Sequence, residues 1–153
     1  MMLKDEQIKL LMLLYEVEKV LGDIYVVFSE QFPSHNDLWE VLIREEHGHA
    51  EAVRELYKLC YEGKSVVSEA AFNPQAVQSI IDYSKDILQN AKKKKYPIDK
   101  ALSITYDLER SLVEKDVFKH FKVAPEYKDR LMVLHTETQR HIAMLEDRLA
   151  NTK

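Results

Sequence analysis

The residues of this sequence with the most chemical potential are Glu18, a Glu-x-x-His pair at Glu46 and His49, Glu109, and a Thr-x-x-His pair at Thr138 and His141. Each falls where helical spacing calls for an apolar side chain. Counting in steps of three and four, one stripe reads Leu11, Leu14, Glu18, Leu21, Tyr25, Phe28, and a second reads Leu38, Leu42, Glu46, His49, Val53, Leu56. A third runs Ile98, Leu102, Thr105, Glu109, Leu112, and a fourth Leu131, Leu134, Thr138, His141, Leu145. Carboxylates and imidazoles in the middle of a core stripe bind a metal ion or a hydrogen-bond partner. Three ionised carboxylates buried together without a cation are strongly disfavoured by desolvation and mutual repulsion.

The spacing adds a second, independent point. Glu46 follows Glu18 by 28 residues and Thr138 follows Glu109 by 29, and in both halves a histidine comes three residues later. A separation of three keeps both members of a pair on one helix face. The halves repeat one layout, a carboxylate and then a pair, and differ only in having Thr138 where the first half has Glu46.

The elements that carry these residues follow from the prolines. Pro33, Pro74, Pro97 and Pro125 each precede a long segment of helical period, a place where a missing N–H costs nothing. The spacing predicts helices over about residues 5–31, 34–61, 73–94, 98–121 and 125–150, with Asn73 capping the third and Gly63 stopping the second. Four are long and of similar length, which predicts an all-α four-helix bundle. The stretch from Glu62 to Pro97 is too long for a tight connection. It is expected to cross the bundle and carry the shorter third helix, joining two antiparallel hairpins in one domain over residues 1–153. Trp39 and the methionines read as core packing, and Lys92 to Lys95 as charges at a helix C-terminus.

Composition narrows the classes. Three glycines and four prolines in 153 residues are about 5% of the chain, against roughly 12% in average usage. Sheets need more turn residues, and the glycines are too scattered for a phosphate-binding loop. One cysteine, Cys60, forms no internal disulfide. With 22 basic against 26 acidic residues, a net charge of −4, there is no global basic field for nucleic acid. The longest strongly apolar run, Leu10 to Tyr15, is far short of the ~20 residues of a membrane span. An acidic start without a signal-peptide layout adds to the expectation of a cytoplasmic protein.

On these residues the chain resembles the ferritin-like superfamily, and within it the rubrerythrin-like branch. The stretches that carry the likeness are Glu18-Lys-Val-Leu-Gly-Asp-Ile-Tyr25, Glu45-Glu46-His47-Gly48-His49-Ala50, Leu108-Glu109-Arg110 and Glu137-Thr138-Gln139-Arg140-His141-Ile142. A glutamate on each of two helices plus Glu-x-x-His on each of the other two is the ligand set of di-iron carboxylate bundles. The resemblance implies Glu18, Glu46, His49, Glu109 and His141 as metal ligands, with two iron ions as cofactor and manganese or zinc as alternatives. It places Tyr25 beside the metals, bonded to a ligand carboxylate, and Asp116 at the matching place in the second half. Its implied activity is that of an oxidoreductase acting on peroxide or dioxygen, or oxidising ferrous iron. Homodimerisation also belongs to it.

Three departures qualify the likeness. Thr138 removes a carboxylate that normally serves the second metal. Leu112 stands where rubrerythrins proper carry a further glutamate. A single cysteine cannot supply a rubredoxin domain, so any turnover needs an external electron donor. Glu137, four residues before His141, is a candidate substitute ligand, and Glu45 a competitor of Glu46. Gly22 and Gly48, each within four residues of an implied ligand, are expected to allow close helix approach. The alternative to a metal enzyme is a metal-depleted bundle kept as a binding or dimeric assembly module.

Overall fold

The computed structural model describes residues 4–63, 74–114 and 125–152. Among them the chain is all-α, with five α-helices and no strand: α1 (Lys4–Gln31), α2 (Asn36–Tyr61), α3 (Pro74–Lys93), α4 (Ile98–Glu114) and α5 (Pro125–Thr152). A single 3-10 turn, Pro33–His35, joins α1 to α2. The prolines stand at or immediately before helix starts, where their fixed φ suits the first turn. Asn73 and Asp116 lie outside the described residues, as do the side chains of Leu112 and Leu131.

Side-chain pairs give the direction of each helix. From α1 to α2 they run Gln7 with Cys60, Glu18 with His49 and Phe28 with Trp39, in opposite order, so the two are antiparallel. Glu109 faces His141 and Tyr106 faces Glu146, which makes α4 and α5 antiparallel too. The pairs Asp37–Arg148, His49–Glu137 and Glu55–Arg130 set α2 against α5 in the same sense. Helix α3 runs along α1 in the same direction, tied by Glu16–Lys85 and by Gln31 donating to the Ala91 carbonyl. It delivers the chain to Tyr96, whose ring meets Phe28 edge-on, and α4 then starts beside the far end of α1.

Apolar stripes hold this arrangement. Leu11, Leu14, Leu21, Tyr25 and Phe28 of α1, and Leu38, Trp39, Leu42 and Val53 of α2, are at most 2% exposed. Burying a side chain of this size stabilises the fold by about 1.5–3 kcal/mol. Trp39 stacks on Tyr25 and is tilted against Phe28, sealing the end of the core nearest the 3-10 turn. Met12 and Met132 are 56% and 46% exposed, against the expectation of core packing, because they sit off the inward stripes.

The glycines differ in what they do. Gly63 has φ +73° and closes α2, donating its N–H to the Cys60 carbonyl. A Cβ on Gly22 would meet the Glu46 Cβ at 3.9 Å, an ordinary contact, whereas one on Gly48 would meet nothing within 4 Å. Neither position therefore needs glycine for helix approach, which corrects the expectation from sequence. Gly63→Ala is expected to lower stability by about 1 kcal/mol, and Gly48→Ala to raise it by about 1 kcal/mol. Urea unfolding of the two variants checks the opposite signs.

Candidate metal centre

Midway along α1, α2, α4 and α5 the inward stripes change from apolar to polar. Glu18, Glu46, His49, Glu109, Thr138 and His141 are all buried, none more than 2% exposed. All of them but Thr138 form two groups that share one member. Glu18, Glu46 and His49 offer ligand atoms within 4.8 Å of one another, and so do Glu46, Glu109 and His141. The His49 Nδ1 lies 3.5 Å from Glu18 Oε2 and 3.6 Å from Glu46 Oε2. The His141 Nδ1 lies 3.7 Å from Glu46 Oε1 and 3.6 Å from Glu109 Oε2. Glu46 thus turns one oxygen to each histidine.

Seven atoms of this set have no hydrogen-bond partner: both oxygens of Glu18, both of Glu46, Glu109 Oε2, and the Nδ1 atoms of His49 and His141. A buried polar atom left unsatisfied costs about 1–3 kcal/mol, and more when charged. Convergent unpaired oxygens and imidazole nitrogens are the donor set of a borderline or hard divalent cation. The residues present therefore fit a metal ion, and the shared Glu46 fits two.

An outer layer holds the histidines. The His49 Nε2–H donates to Glu137 Oε2 at 2.6 Å, and the His141 Nε2–H donates to Glu45. The pairing is crosswise: the α5 carboxylate holds the α2 imidazole, and the α2 carboxylate holds the α5 imidazole. Fixing Nε2 this way leaves Nδ1 as the nitrogen aimed inward, the usual role of a carboxylate behind a metal-binding histidine. Arg140 in turn pairs with Glu45. Tyr25 Oη donates to Glu109 Oε1 at 2.7 Å, which leaves only Oε2 of that carboxylate free to face the centre.

Electrostatics follow from burial and crowding. Burial, with the charges of Glu109 and Glu18, holds the Glu46 carboxyl well above its usual range. Burial also raises Glu109, but His141, Glu46 and Tyr25 outweigh it and hold this carboxyl below its usual range. Tyr25 is pushed well above 10 by burial and by Glu109, so it remains a donor. For His49, burial favours the neutral ring, but Glu18 and Glu137 overcome it and raise the group to about 9. Without a cation, protons on Glu46 and His49 supply part of the missing positive charge.

The structure brings Glu18, Glu46, His49, Glu109 and His141 together and places the other candidates around them. Glu137 lies outside both groups, on the far nitrogen of His49, rather than in the place left by Thr138. The Thr138 hydroxyl donates to the Leu134 carbonyl. Glu45 does not compete with Glu46; its carboxylate lies behind His141. Sequence reasoning missed that role, although a signal existed, since Glu45 and Glu137 hold the same place, four residues before a histidine, in the two halves. His47 is exposed and His135 half-buried, and neither belongs to the groups.

Comparison of the chain with family models, curated proteins and solved structures gave no match. Among the described residues, no helix is long and apolar enough to cross a membrane.

The pH dependence has a definite sign. A histidine whose folded value is about 9 against 6.5 contributes stability that is present below pH 6.5 and lost as pH rises through 9. The raised Glu46 acts in the same direction from a lower pH, its contribution fading above the ordinary carboxylate range. Metal-free protein is therefore expected to lose urea resistance between pH 6.5 and 9. Added manganese(II) is expected to stabilise it increasingly over that window, as competing protons leave. Metal-free stability that rises over the window contradicts this electrostatic account.

Proposed function

We propose that the chain is a ferritin-like, rubrerythrin-like protein whose buried centre binds two divalent metal ions, iron foremost, with manganese and zinc as alternatives. The observation that carries this reading is the pair of Glu/His groups sharing Glu46, with seven buried donor atoms lacking a hydrogen-bond partner. Two antiparallel helix pairs joined through α3 agree with the four-helix bundle expected of that family.

In this reading Glu18, Glu46 and His49 would hold one ion, and Glu46, Glu109 and His141 the other. Bound iron would supply ferrous–ferric exchange toward peroxide or dioxygen, with electrons from an external donor. The chain's own part is to hold and exclude. Glu45 and Glu137 orient the imidazoles, Tyr25 fixes the Glu109 rotamer, and Leu21, Leu42, Leu108 and Leu145 form an apolar wall against water. The metal-depleted alternative has only protons, on Glu46 and His49, to set against three buried carboxylates, which disfavours it.

The two positions are unequal. Two divalent cations bring four positive charges against three carboxylates, and Thr138 stands where a fourth carboxylate would balance them. The Glu109 position is therefore the weaker.

Metal analysis after anaerobic loading with ferrous iron tests the proposal. About two irons per chain are expected, with most lost in Glu46→Ala. Thr138→Glu is expected to tighten the weaker position by roughly tenfold or more. A chain that retains essentially no iron after loading contradicts the proposal.

A further inference from the structure

An ion can reach this centre only past other side chains, because none of its ligand candidates is more than 2% exposed. Resting on the metal-binding reading above, we propose that divalent cations enter through the groove between α2 and α5 at Gly48, where Glu137 is the first carboxylate to hold them.

The groove has a volume of about 310 Å³ and is lined by Gly48, His49 and Ala52 of α2 and by Val133, Leu134 and Glu137 of α5, among others. It adjoins a larger hollow of about 790 Å³ that shares Gly48, Ala52 and Arg130 with it. One residue belongs to both groove and centre. The His49 ring lines the groove, its Nε2 meets Glu137, and its unpartnered Nδ1 faces Glu18 and Glu46 on the other side. Glu137, with 28% of its side chain exposed, stands between solvent and that ring.

Gly48 is the second, independent observation. A glycine inside a helix is unfavourable relative to alanine, and no neighbour here requires it, since a Cβ would meet nothing within 4 Å. What the missing side chain leaves is open space beside His49. Two other approaches among the described residues are more closed. Helix α3 covers part of α1, and Tyr25 and Trp39 fill the core toward the 3-10 turn. Arg44 and Arg130 also line the groove, Arg130 paired with Glu55, and of its two carboxylates Glu137 is more exposed than Glu45, which pairs with Arg140.

The test follows cobalt(II) uptake by the full metal-free chain in a stopped-flow spectrophotometer, through the absorption of bound cobalt. Gly48→Leu and Val133→Trp fill the groove from its two walls, at positions that are exposed or open. Val26→Trp, on the exposed face of α1, is the control. Both groove variants are expected to slow association roughly tenfold or more, with the final cobalt per chain unchanged and the control at the parent rate. Glu137→Gln is expected to slow association as well. Association within about twofold of the parent in both groove variants overturns the port, as does a loss of final stoichiometry in both. If Glu137→Gln changes only dissociation, its entry role is overturned. Failure of the parent itself to bind cobalt rejects the metal-binding reading and the port with it, whereas normal binding at unchanged rates rejects the port alone.

Discussion

Three carboxylates, Glu18, Glu46 and Glu109, share one buried volume with two imidazoles, and water reaches none of them to any extent. In a low-dielectric interior such a set is stable only if positive charge comes with it, as protons or as cations. That requirement governs much of the surrounding structure. It needs four helices to present their polar residues at one level, which fixes the register of α1 against α2 and of α4 against α5. It also needs imidazoles turned the right way, and the crosswise carboxylates Glu45 and Glu137 supply that. In their absence each ring would be free to present either nitrogen to the centre.

The near-symmetry of the two halves makes their one difference informative. Glu46 serves both groups, one oxygen to each, while Thr138 at the corresponding place of α5 turns its hydroxyl to its own helix backbone. Thr138 therefore supplies no ligand atom to either group. Neighbouring groups do not fill the gap. Glu137 remains engaged with His49, and Tyr25 occupies one oxygen of Glu109. The result is two triads that share Glu46, one of which also has its own glutamate bonded to a tyrosine.

The stripes of α1, α2, α4 and α5 are readable along the chain, because burial imposes a period of three and four on each helix by itself. The same periodicity singles out Glu18, Glu46, His49, Glu109 and His141 as polar residues on inward faces, and their convergence in space agrees with it. The outer layer is harder to read. Whether Glu137 meets His141 on its own helix, the vacant place beside Thr138, or His49 across the interface depends on the rotation of α2 against α5, which no local pattern records. Glu45 was obscured for the same reason. Gly48 illustrates a different limit: a glycine marks a place without a side chain, but only the packing shows whether a neighbour or open space lies over it.

In the proposed reading Glu46 serves two cation positions, and anomalous diffraction from crystals of the full chain equilibrated with manganese(II) distinguishes two from one or none. Two peaks flanking the Glu46 carboxylate are expected, the stronger on the side of Glu18 and His49 and the weaker on the side of Glu109 and His141. No anomalous density at Glu46, or density confined to the outer carboxylates Glu45 and Glu137, would contradict it.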